Sequence, residues 1–175
     1  MKKILVSLVA MMFLFVPMAF GLSIDDLNYL GSIDPGTPAG TDFEASYVNQ
    51  LIIMESDDIT TVGGNEFTRS SNSFEFLPEA FFSFKVEDDD VVQNPYISGV
   101  SADYVLAKYG GGNEEGVFSH VWVITGLDSF YLPAFNRDLS HYTFFNATAQ
   151  VPEPTTLLLF GAGIAGLALY RRKKS

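Results

Sequence analysis

The sequence contains no cysteine. That excludes disulfide staples, Cys-based zinc sites and thiol nucleophiles, so any folded part rests on its apolar core. Positive charge is almost as scarce between the ends. Residues 22–150 hold only Arg69, Lys85, Lys108 and Arg137 against twenty acids, a net charge near −16, while the whole 175-residue chain carries −11. Nucleic acid and anionic lipid are bound through Lys and Arg that displace counterions, so this surface repels both. There are two histidines, His120 and His141, and one tryptophan, Trp122. No Gly-x-Ser-x-Gly elbow and no His-Glu-x-x-His zinc helix occurs. Long charge blocks are missing as well. With 12 of the 16 Phe and 7 of the 8 Tyr, the middle has the composition of one ordinary folded domain.

The two ends differ from the middle. Lys2 and Lys3 precede an apolar run from Ile4 to Val16, broken by Pro17. Ala19 and Gly21 then place small residues at the −3 and −1 positions of a cleavage site. Residues 1–21 therefore read as a signal peptide cut after Gly21 and handled by the Sec machinery and signal peptidase. The run is short of the roughly 20 residues that span a bilayer. A retained anchor is the alternative.

The C-terminal end is ordered as three pieces: Val151-Pro152-Glu153-Pro154, an apolar helix over 155–170, and Arg171-Arg172-Lys173-Lys174 before Ser175. Alternate prolines cannot continue a strand ladder, so the chain leaves the domain there. Thr155 and Thr156 can cap a helix. Gly161, Ala162, Gly163, Ala165 and Gly166 thin one side of it, which permits close approach of another helix. The bases fix the tail in the cytoplasm and the body outside. Sixteen residues make a helix of about 24 Å, short of the roughly 30 Å bilayer core. A marginal span suits a transient inner-membrane anchor, and a permanent one is the alternative.

This order of Pro-Glu-Pro, apolar helix with Gly-Ala-Gly and basic stop over about residues 150–174 resembles the PEP-CTERM sorting domain, also called the ice-binding protein C-terminal domain. The resemblance implies an exosortase substrate of an exopolysaccharide-making Gram-negative bacterium. Pro152, Glu153 and Pro154 would be the recognition motif, and Arg171 and Arg172, with Lys173 and Lys174, the stop-transfer bases. The body would be cut free at the motif and delivered to the cell surface or matrix. Residues 102–109 with the glycines after them, Leu139-Ser140-His141, and Phe145-Asn146 also resemble bodies attached to such tails. None of this implies ice binding.

The body, residues 22–150, reads as all-β, a single β-sandwich or jelly-roll-like domain. Residues 80–87 alternate Phe82, Phe84 and Val86 against Ser83, Lys85 and Glu87, a half-buried strand. Residues 117–125 are apolar on both faces, as in a central strand. Further strand candidates are 102–109, 46–54, 73–77 and 142–147, with a short helix at 24–29. Turn signals are Gly63-Gly64-Asn65, Gly110-Gly111-Gly112-Asn113 and Asn94-Pro95.

Candidate sites are few. His120 shares a face with Phe118, Trp122 and Ile124 and reads as a core or interface histidine. Ser140 and His141 are neighbours in a strand, where adjacent side chains point to opposite faces, so they do not read as a catalytic dyad. Glu87, Asp88, Asp89 and Asp90 offer carboxylates of the kind calcium takes, as does Glu55-Ser56-Asp57-Asp58, although neither matches an EF-hand loop. Solvated acidic turns are the plainer reading. Trp122, Tyr96, Tyr104, Tyr109, Tyr131 and Tyr142 are available for stacking on sugars. The expectation is a non-enzymatic surface or matrix component associated with exopolysaccharide. A polysaccharide-acting hydrolase and a membrane-anchored periplasmic domain are the alternatives.

Overall fold

Alternation of side chains carries the architecture. In the computed structural model, which describes residues 20–87, 93–110 and 116–147, Tyr104–Tyr109 is a strand (β7) buried at every position. Its even-numbered residues Tyr104 and Leu106 join one apolar cluster, and Val105, Ala107 and Tyr109 join another. A strand with two buried faces lies inside a sheet with layers on both sides.

That sheet has seven antiparallel strands. They are β2 (Tyr29–Asp34), β3 (Ile59–Val62), β4 (Asn65–Arg69), β5 (Phe81–Glu87), β7, β8 (Phe118–Val123) and β10 (Leu139–Asn146), in the spatial order β3-β4-β2-β8-β7-β10-β5. A helix, α1 (Thr41–Ile53), covers one face through Tyr47, Val48 and Leu51. The other face is covered by a second, three-stranded sheet of β1 (Phe20–Gly21), β9 (Ser129–Tyr131) and β6 (Tyr96–Ser98), whose Phe130 and Ile97 pack with Trp122, Val105 and Phe144. The β-rich expectation holds. A seven-stranded sheet and a three-stranded one share a core, with a helix over the other face of the larger sheet.

Three local readings are corrected. Of residues 46–54, expected as a strand, 46–53 belong to α1 and Met54 is its extended C-cap. Its buried positions, Glu44, Tyr47, Val48 and Leu51, recur at helical spacing. One of them is a carboxylate, and that breaks the apolar stripe a sequence reading looks for. Residues 24–29, expected as a helix, form turns leading into β2, and residues 73–77 form no strand. The Gly63-Gly64 turn joins β3 to β4 as expected. Asn94-Pro95 lies in a bend before β6, while Gly111, Gly112 and Asn113 lie outside the described residues.

Glycine lets the layers approach. At Gly31 a Cβ would sit 2.3 Å from the Thr68 carbonyl oxygen and 3.0 Å from a Leu51 methyl, so β2, β4 and α1 meet there with no room for a side chain. The segment between β2 and α1 contains two cis prolines, Pro35 and Pro38. It is pinned from the sheet: Lys108 Nζ donates to the Gly36 carbonyl (3.2 Å), Lys85 Nζ to the Ala39 carbonyl (3.0 Å), and Asn65 exchanges two hydrogen bonds with the Thr37 backbone.

Candidate functional site

The most polar place in the interior lies between α1 and the sheet. Glu44 enters from the first turn of α1 and is 1% exposed. His141 Nε2 donates to its Oε1 at 2.7 Å, and the Thr143 hydroxyl donates to its Oε2 at 2.6 Å, both from β10. Lys85 of β5 is 3.3 Å from Oε1 and 2.7 Å from the exposed Glu87. Burial alone would raise the Glu44 pKa. The hydrogen bonds from His141 and Thr143 and the charges of His141 and Lys85 outweigh it and hold the carboxyl below its ordinary value. Glu44 is thus an ionised hub that ties the helix to two strands.

Ser140 differs from the expectation. Its Oγ is 3.3 Å from His141 Nδ1. The register of β10 against β7 shifts between Leu139 and His141, and such an irregularity re-aims side chains that a flat strand would separate. A Ser-His-Glu chain therefore exists. His141 and Glu44 are both buried, so substrate cannot reach them while α1 is in place.

His120, expected in the core or at an interface, is half-buried among the rings of Tyr29, Phe118, Trp122 and Phe135. The Tyr29 hydroxyl is 2.7 Å from its Nδ1 and donates to it, and the Phe135 ring stacks 4.7 Å away. Burial lowers its pKa from 6.5 to about 4. The neutral ring is the folded form, so the unfolded chain takes up the proton first as pH falls. Stability is complete above pH 6.5 and should fall by about 3 kcal/mol on the way to pH 4. Urea unfolding at pH 7.5 and at pH 4.5 should show this drop, and His120→Phe should flatten it.

Most of the candidate stacking aromatics are structural. Trp122, Tyr104 and Tyr109 are buried, with polar tips that donate to the carbonyls of Ser23, Pro78 and Pro133. Tyr142 is half-buried. Tyr96 and Tyr131 remain, 53% and 37% exposed, directly paired across β6 and β9 with ring centroids 5.0 Å apart.

Among the acids proposed for calcium, Glu87 is engaged with Lys85, and Asp88, Asp89 and Asp90 lie outside the described residues. Among the described residues no group of three or more His, Asp or Glu is placed to hold a metal ion. In the other acidic segment, Asp58 turns the chain: its side chain accepts from the Ile59 N–H and its carbonyl from the Arg69 N–H.

At the ends, Gly21 belongs to β1, and Ala19 lies outside the described residues. So do Pro152, Glu153, Pro154, Arg171, Arg172, Lys173, Lys174 and the expected helices at 4–16 and 155–170. Among the described residues no helix is long and apolar enough to cross a membrane. The linear order of the C-terminal residues decides the matter: residues 150–173 match the family model of the PEP-CTERM protein-sorting motif. The chain carries a PEP-CTERM sorting signal. A PEP-CTERM signal implies an exported, envelope-targeted protein with exosortase as its processing partner. No curated protein and no solved structure matches the chain, so the PEP-CTERM match speaks for the tail, and the body must be read from its own residues.

Sequence reasoning missed Glu44, Lys85 and Thr143 as a group. They come from three elements, with Glu44 and Thr143 separated by 99 positions. The one available signal was a lone Glu at a helical core position.

Proposed function

We propose that exosortase releases this protein to the cell surface or extracellular matrix, where its β-rich body acts as a non-enzymatic adhesive or structural component that binds polysaccharide. The PEP-CTERM match carries the delivery half of this reading. The exposed Tyr96–Tyr131 pair supports the binding half, because two adjacent aromatic rings open to water can stack on sugar rings. The charge near −16 suits a soluble body that stays clear of anionic membrane surfaces.

Intact-mass analysis of the protein from membrane and medium fractions tests the delivery. The expected mature form starts at Leu22, so it lacks β1 and keeps β6 and β9 as a two-stranded ribbon, and it ends near Pro152–Pro154; Pro152→Ala with Pro154→Ala should hold the protein in the membrane fraction. A full-length C-terminus found only in membranes would instead establish a permanently anchored domain.

A further inference from the structure

Where the chain passes from β8 to β9 and where β10 ends, a cleft of about 470 Å³ opens. This is the size of a small-molecule site, but its walls are largely polar: Ser101, Asp103, Thr125, Asp128 and Asn146, beside Leu127. Asp103 braces the walls. Its Oδ1 accepts from the Thr125 hydroxyl at 3.0 Å, its Oδ2 from the Ala147 N–H at 2.7 Å, and its carbonyl from the Ile124 N–H at 2.8 Å. Asp128 is exposed at the rim, and its carbonyl accepts from the Gly99 N–H. The side-chain oxygen of Asn146 is buried without a hydrogen-bond partner.

The small sheet leads away from this rim. Asp128 precedes β9 and Gly99 follows β6, so Ser98 and Ser129 form the near end of the pair. Two residues further on, about 7 Å along an extended strand, stand Tyr96 and Tyr131. A polar cleft and an exposed aromatic pair thus occupy the two ends of one short ribbon. Sugar rings need both. Their hydroxyls each donate and accept, matching carboxylates, amides and hydroxyls, and their C–H faces lie flat on aromatic rings. Among the described residues no Lys or Arg lines the cleft. Its carboxylates and the negative body disfavour uronic-acid or sulfated chains.

We propose that this cleft, with Tyr96 and Tyr131 as its outer platform, binds a short stretch of a neutral polysaccharide. The proposal rests on the polysaccharide-binding reading above and gives it a site and a charge class.

Electrophoresis of the full chain through native gels containing hydroxyethylcellulose, dextran, galactomannan, alginate or the host's own exopolysaccharide tests it. Retardation is expected in at least one neutral gel, weakened at least tenfold by Tyr96→Ala with Tyr131→Ala and, separately, by Asp128→Ala. These side chains are exposed, so circular dichroism should be unchanged. Equal retardation of the wild type and both variants would overturn the site and leave polysaccharide binding standing. Retardation in alginate alone would overturn the neutral class. No retardation in any gel, the host polymer included, would overturn the site and the binding reading together.

Discussion

Glu44→Ala should destabilise the domain by about 3–5 kcal/mol, the usual cost of removing one partner from a buried charge group. Its carboxylate accepts from His141 and Thr143 and faces Lys85. Without it, buried Thr143 and His141 lose their acceptor, and Lys85 keeps only the exposed Glu87 and the Ala39 carbonyl. For a domain of this size the thermal midpoint should fall by roughly 10–20 °C. Glu44→Gln keeps the shape and one acceptor and should cost less. The sign with pH is fixed by the lowered carboxyl pKa: the contribution is complete above the unfolded carboxylate's value, near 4.5, and is lost as pH falls through the lower folded value. The gap between the thermal melts of wild type and Glu44→Ala should therefore be smaller at pH 3 than at pH 7. Equal gaps at both pH values would mean that the charge contributes little and packing of the helix contributes most.

Trp122→Ala should cost about 3–5 kcal/mol for a different reason. Trp122 is fully buried in the cluster that joins the two sheets, packed with Val105, Ile124, Phe130 and Phe144. Its indole N–H donates to the Ser23 carbonyl at 2.9 Å, which fastens the entering chain. Truncation would leave a cavity and an unpaired carbonyl. Trp122→Phe would fill most of the volume and isolate the hydrogen bond, with an expected loss nearer 1 kcal/mol. Urea denaturation followed by tyrosine fluorescence or far-ultraviolet circular dichroism measures both. The Ala variant should also expose residues near Leu22 to limited proteolysis before the rest.

How much of this was legible follows from range. Phe81–Glu87 announces itself by period-two alternation and Phe118–Val123 by a short run apolar on both faces, both written in neighbouring residues, while Tyr104–Tyr109, buried on both faces, gives a weaker signal. The Tyr96–Ser98 and Ser129–Tyr131 strands are three residues each, too short for any period to register, and they exist because each finds the other across more than thirty residues. The helix was hidden by Glu44, whose place on the buried face makes sense only once Lys85, Thr143 and His141 are seen opposite it. The sorting tail was legible for the opposite reason. Its message is a linear order of residue types that needs no fold to be recognised. The cleft had no such order: Asp103, Thr125, Asp128 and Asn146 meet only through the sheet.

The position of β10 bears on how the body withstands load. This last strand lies between β5 and β7, paired antiparallel with both over six residue pairs on each flank. It is also the strand from which the chain runs on toward the sorting signal. A pull on the C-terminal segment before release would run along the axis of β10. Ladder bonds on both flanks would then be loaded in shear together instead of unzipping one by one. Before that, the pull meets a staple: Asp103 holds the Ala147 N–H through its carboxylate, and its own N–H holds the Phe145 carbonyl. The strand that first takes a pull from the C-terminal side is therefore held on both flanks and stapled at its end.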